Sequence, residues 1–163
     1  MLKAWEGLGY YTRARNMYRA VNIVMEEYAG RFPDSPELLQ LYPGIGKYTA
    51  GAIASIAFNK PVPVLDGNVK RVLARLDAFE ASIDLPASDQ LLWQRAESLV
   101  PAKAPGDVNQ AMMELGARIC VPKSPLCDAC PVRKHCNGHA CSLQHELPKR
   151  TPKKAVPHHE VVV

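Results

Sequence analysis

The sequence predicts an all-α fold on three observations. Apolar residues recur at helical spacing through most of the chain. Prolines and glycines stand where those segments start or stop. Strand-like patterning is confined to the closing HHEVVV.

Along the chain, Leu2, Trp5 and Leu8 read first, as the tail of a helix whose start lies upstream. From Tyr10 to Ala29, the residues Ala14, Met17, Tyr18, Val21, Val24 and Tyr28 share one helix face, and Gly30 stops it. Ser35-Pro36-Glu37 starts the next helix with a capping hydroxyl, a first-turn proline and an acid at the positive end. Pro43-Gly44-Ile45-Gly46 breaks it. Lys47 to Phe58 is a compact helix rich in Ala and Gly, so a neighbour packs very close to it. Pro61 and Pro63 mark a connection. Asn68 to Phe79 is helical with Val69, Val72, Leu73 and Leu76 on one face. Another helix runs from about Asp89 to Val100 and stops at Pro101. A further one runs from about Asp107 to Ile119, with Val108, Ala111, Met112, Leu115 and Ile119 inward. Residues from about 142 onward are basic and Pro-containing, as a linker is, and His158–Val163 reads as the first strand of a further domain. Both ends read as cut from a longer protein.

Composition narrows the function classes. At 163 residues and 47% apolar, the chain can bury a core, and global disorder is excluded. No apolar run nears the roughly 20 residues of a membrane span, and no signal-peptide pattern opens the chain. A soluble intracellular protein is expected. Net charge is only +4, and basic residues cluster at Arg13–Arg15–Arg19, Lys70–Arg71–Arg75 and Lys149–Arg150–Lys153–Lys154. From charge alone, each cluster reads as a solvated face or tail.

Four of the five cysteines lie within 17 residues, spaced Cys120-x6-Cys127-x2-Cys130-x5-Cys136. Thiols kept reduced and clustered point to metal rather than disulfides. Thiolates suit zinc or iron–sulfur centres. Structural zinc more often uses two tight pairs. Here one pair is flanked by single cysteines, a loop that can wrap a cube-shaped cluster, with zinc as the competing metal. Cys141 is left over as a plain thiol. Lys123 and Ser124 sit at the loop's exposed tip, where a lysine fits phosphate contact.

Gly44 and Gly46 allow a tight turn close to a partner, and the helix beginning at Lys47 points free N–H groups outward. That is an anion site suited to a DNA phosphate. Asp66, eight residues beyond that helix, precedes another. Its bland role is an N-cap.

Taken together, GLGYYTRARN, LYPGIGKYTAGAIASIAF, LDGNVKRVLARL, NQAMMELGARIC and the cysteine loop resemble the iron–sulfur class of helix-hairpin-helix DNA glycosylases. Within that class the chain is similar to the MutY-type adenine DNA glycosylases, from about Trp5 to Cys136. Endonuclease III shares the cysteine spacing but carries its nucleophilic lysine where this chain has Tyr48; Lys47 lies one residue earlier, about a quarter turn away. Hydrolysis without lyase chemistry is the better match.

The resemblance implies a base-excision-repair enzyme that removes adenine mispaired with 8-oxoguanine or guanine, after flipping it from double-stranded DNA. It implies residues 1–62 as a partial six-helix barrel with the hairpin, 63–141 as a 4Fe-4S cluster domain, and 142–163 as linker and the start of a further domain. Asp66 becomes the carboxylate facing the oxocarbenium-like sugar, with Asn68 orienting its neighbours and Tyr48 at the sugar or acid. Gln110 would contact the flipped adenine, and Leu8 and Tyr10 would wedge the stack, ordinary core packing being their other reading. Gly44, Gly46, Lys47, Lys70 and Lys123 would meet DNA. Cys120, Cys127, Cys130 and Cys136 would hold the cluster. The family's general acid, a glutamate, lies upstream of Met1, so the chain alone is expected to be weak or inactive. A monomer associated with DNA, with no membrane partner, completes the expectation. Three alternatives stay open: a thymine-glycol-type glycosylase/lyase, a non-enzymatic DNA-binding module, and a zinc protein unrelated to DNA.

Overall fold

The computed structural model describes residues 2–152, and no strand occurs among them. The strand expected at His158–Val163, and Lys153 and Lys154, lie outside the described residues. A short 3₁₀ turn, Leu2–Trp5, leads into α1 (Tyr11–Glu27), α2 (Pro36–Leu39), α3 (Lys47–Phe58), α4 (Gly67–Leu76), α5 (Pro86–Leu99), α6 (Pro105–Glu114) and α7 (Asn137–Ala140).

Local chemistry sets most of these ends. Ser35 caps α2, its hydroxyl accepting from the Leu38 N–H. Prolines open α2, α5 and α6. The last two therefore begin a few residues before the acidic positions that suggested their starts.

The main core gathers Val64, Leu65, Val69, Leu73, Ile83 and Leu92 around α4 and α5. Two smaller clusters hold α1 to the hairpin through Ala20, Val24 and Tyr42, and α2 to α3 through Leu39, Ala50 and Ala54. Helix α3 packs close, as its small residues required. A methyl on Gly51 would stand 2.3 Å from the Pro63 carbonyl oxygen. A methyl on Gly106 of α6 would stand 2.7 Å from the Ser55 carbonyl oxygen of α3.

Two inward faces differ from expectation. Helix α1 buries Ala14, Ala20 and Val24, whereas Met17, Tyr18 and Val21 are exposed. Only the Ala20/Val24 side meets Tyr42 of the hairpin. Helix α6 buries Asn109 and leaves Ala111 exposed. Close docking of Gly106 turns Asn109 to α3, where its amide donates to Ser55 Oγ at 2.8 Å and the Val62 carbonyl at 2.9 Å. Beyond Glu114 the helix widens into a π turn, Leu115–Ile119. It ends with the Cys120 N–H on the Leu115 carbonyl at 2.7 Å. A widened turn changes the direction of the chain leaving it; this one delivers the first cysteine of the loop.

Candidate active site and metal centre

The hairpin turn between α2 and α3 has the left-handed backbone expected of Gly44, with φ at 82°. Gly46 caps α3 with extended backbone and without a side-chain hydrogen bond. The first N–H groups of a full-length helix are thus left for an external acceptor. Lys47 folds its ammonium over the Trp93 ring, 3.9 Å from the centroid, a cation–π contact with α5.

Asp66 is an N-cap and more. Its Oδ1 accepts from the Val69 N–H at 2.7 Å, and its Oδ2 accepts from Asn68 Nδ2 at 3.2 Å. Tyr48 stands near enough for the Asp66 charge to act on it. Its phenol is raised above the ordinary value, first by burial and then by Asp66. The Tyr48 hydroxyl donates to the Met113 sulfur at 3.2 Å. Asp66 and Asn68 are thus joined at the start of α4, while the Tyr48 hydroxyl from α3 is engaged by Met113.

Asn68 is held from behind. Arg71 Nη2 donates to Asn68 Oδ1 and to the Gly116 carbonyl, both at 2.8 Å, and Arg71 Nε donates to the Cys120 carbonyl at 2.8 Å. A continuous hydrogen-bonded path thus runs from the Asp66 carboxylate to the backbone of the first loop cysteine. Burial pushes the Arg71 guanidinium below its ordinary value, partly opposed by Cys120. Gly116 leaves the room for this contact, since a methyl there would meet Asn68 Cβ at 2.7 Å.

Cys120, Cys127, Cys130 and Cys136 wall one cavity, with Arg75 beside them. Burial raises the Cys127 and Cys136 thiols above their ordinary values, and the neighbouring thiols add to it. Among the described residues, no three His, Cys, Asp or Glu side chains converge as the ligands of a single metal ion would. Cys141 is exposed. Arg75, only 2% exposed, knits the loop together. It donates to the carbonyls of Leu147 (2.8 Å), Val121 (2.7 Å) and Pro122 (2.9 Å), and to the Cys120 sulfur at 3.3 Å. Arg71 and Arg75 are thus buried organisers, not the solvated face that charge clustering suggested. The available signal was their i, i+4 spacing beside the inward Val72 and Leu76.

No family model matches the chain. Human adenine DNA glycosylase is 49% identical over 144 residues, covering 88% of this chain and 26% of the human protein. The rat enzyme of that name is 50% identical over 83% of this chain and 26% of its own length. An adenine DNA glycosylase of Buchnera aphidicola is 40% identical over 96% of this chain and 45% of its own. The chain belongs to the adenine DNA glycosylase family. It spans between about a quarter and under half of the curated relatives it matches. Among solved structures, a thermostable thymine-DNA glycosylase superposes with a TM-score of 0.72 at 30% identity, covering 85% of this chain and 64% of that one. Endonuclease III in a non-covalent DNA complex gives 0.66 at 26% identity, over 85% and 62%. The architecture is that of the helix-hairpin-helix DNA glycosylases.

Set against the adenine DNA glycosylase family, the remaining predicted residues divide. Leu8 and Tyr10 are 67% and 82% exposed. Left-handed backbone at Gly7, Gly9 and Tyr10 pushes this turn outward. Gln110 is exposed and bonds only within its own helix, to the Gly106 carbonyl at 3.3 Å. Lys123 is exposed beside Ser124, whose φ is 51°. Lys70 is engaged, its ammonium 2.5 Å from Asp89. Among the described residues, no hydrogen bond or ion pair joins these side chains to the Tyr48–Asp66–Asn68 group.

Proposed function

We propose that the chain forms the catalytic and metal-bearing part of a base-excision-repair glycosylase that hydrolyses the N-glycosidic bond of adenine mispaired with 8-oxoguanine or guanine. The Asp66 carboxylate, fixed by the Val69 N–H and by Asn68 and close enough for its charge to act on Tyr48, supports the reading. A sugar losing its base becomes oxocarbenium-like, and a fixed carboxylate stabilises that charge. Asn68, anchored by Arg71, keeps the second carboxylate oxygen in position. Tyr48 borders the same carboxylate without supplying an amine. The one lysine beside it, Lys47, is turned to Trp93, which favours hydrolysis over Schiff-base lyase chemistry. Protonation of the leaving adenine needs a general acid, which the resemblance gives as a glutamate.

Double-stranded DNA containing the mispair is the proposed partner. The glycine turn and the start of α3 would take a backbone phosphate, and Lys123 a second one. Leu8 and Tyr10 would enter the stack, and Gln110 would read the extruded adenine. Lys70 would have to leave Asp89 to contact DNA. Among the described residues no helix is long and apolar enough to cross a membrane. Residues 63–141 are proposed as the metal-bearing unit, joined to 1–62 through α3 and α6.

For the metal, the residues fit a 4Fe-4S cluster better than zinc. Four cysteines wall one cavity, one tight pair flanked by two single cysteines, an arrangement suited to a cube-shaped inorganic core. Bound there, it would cross-link the loop to the end of the π turn.

The test uses the full-length protein and a duplex carrying adenine opposite 8-oxoguanine. Adenine release without efficient strand cleavage or borohydride trapping is expected. Efficient cleavage with a trapped adduct at normal turnover would establish the lyase alternative.

A further inference from the structure

Among the described residues, three buried side-chain polar atoms lack a hydrogen-bond partner: Tyr42 Oη, His139 Nδ1 and Gln144 Oε1. Two of these belong to residues that line the cysteine cavity. His139 and Gln144 also line an adjoining surface depression, together with Leu126, Asp128 and His145. They therefore form the partition between the metal cavity and that depression. The chain is folded to bring them together. Gly138 lies against Arg75, where a methyl would stand 2.4 Å from the carbonyl oxygen. The Leu143 N–H donates back to the Gly138 carbonyl at 2.7 Å, and Ser142 adopts φ 59°, so Gln144 returns beside His139.

Leaving a buried polar atom unpaired costs about 1–3 kcal/mol. Two such atoms on one wall of one cavity point to a ligand that satisfies both. An iron–sulfur core presents acceptors only, its sulfides and the thiolates around it. A neutral imidazole can donate through Nδ1–H. A carboxamide can donate from the same place once its oxygen and nitrogen exchange by a half-turn. Arg75 already donates to the Cys120 sulfur.

We propose that His139 and Gln144 are positioning residues that donate hydrogen bonds to the sulfur atoms of the metal centre, raising its reduction potential and closing the depression against loss of iron. The inference rests on the iron–sulfur reading above. Donors to sulfur favour the more negative, reduced core, so their removal lowers the potential.

The experiment compares the iron- and sulfide-reconstituted protein with His139→Phe, His139→Gln and Gln144→Met, by midpoint potential and by rate of iron transfer to a chelator. His139→Phe and Gln144→Met are each expected to lower the potential by about 59 mV, a tenfold change in a one-electron ratio, and to speed iron transfer at least threefold. His139→Gln, which keeps a donor, should recover at least half of the His139→Phe shift. Failure of His139→Phe to hold iron while His139→Gln holds it also supports the donor role; failure of both overturns it. Unchanged potentials at full iron content overturn it too. A colourless parent that takes up zinc in place of iron would instead overturn the iron–sulfur reading beneath it.

Discussion

Replacing Arg75 by methionine removes a buried guanidinium while keeping a long side chain. Three carbonyls, those of Val121, Pro122 and Leu147, lose donors now at 2.7 to 2.9 Å. Orphaned buried acceptors cost about 1–3 kcal/mol each, so the upper sum approaches roughly 9. Release from burying the cation offsets part of it. Partial relaxation of the half-buried loop lowers it further. The loss should therefore resemble a broken buried charged contact, about 3–5 kcal/mol. For a chain of this size that is roughly 6–20 °C in Tm. Circular dichroism melts of the metal-loaded parent, Arg75→Met and Arg75→Lys measure it. Arg75→Lys keeps the charge but not the planar fork, and should recover less than half. A loss below about 1 kcal/mol in Arg75→Met, within the range of an ordinary hydrogen bond, would refute the reasoning.

The same geometry sets other outcomes. Gly116→Ala drives a methyl into Asn68, so adenine release by the full-length protein should fall at least tenfold in single-turnover assays, with DNA binding retained. Removal of the metal by oxidation and chelation should bleach the visible absorption and expose the loop from Cys120 to Cys136 to proteolysis, while most of the helical signal from α1 to α6 survives. Tyr48 should titrate above the ordinary tyrosine range because burial and Asp66 oppose its phenolate. Its folded value lies above its unfolded one. The stability it contributes is therefore fully present below about pH 10 and is lost as the pH rises through the folded value. Comparison of absorbance titrations at 295 nm for the parent and Tyr48→Phe reads this directly.

Helix α3 was legible to the residue because its signals are local: Gly46 before it and Pro61 and Pro63 soon after it. The four cysteines were legible because their spacing in sequence is itself the motif. Arg71 and Arg75 were not, because a basic triplet looks the same whether it meets water or backbone carbonyls 45 or more residues away. Asn109 escaped for a similar reason. Its burial depends on Ser55 and Gly106 docking closely, a contact that no periodicity encodes. The exposed Met17–Tyr18–Val21 side of α1 carries as clear a helical repeat as the buried side. Periodicity identifies an apolar face, not what covers it. The π turn ending at Cys120 depends on a hydrogen bond five residues long, which leaves no mark in composition.

Whether Asp66 acts on the sugar or only caps α4 decides the mechanism. Asparagine caps as well as aspartate does, so Asp66→Asn separates the two roles. Single-turnover adenine release by the full-length Asp66→Asn protein, from a duplex with adenine opposite 8-oxoguanine, is the decisive measurement. Release should fall by about 10²–10³, with DNA affinity unchanged and only the small stability loss expected from the Asn68 hydrogen bond, if the carboxylate carries the charge stabilisation assigned to it. Release within a few-fold of the parent would leave Asp66 as a helix cap and contradict the mechanism.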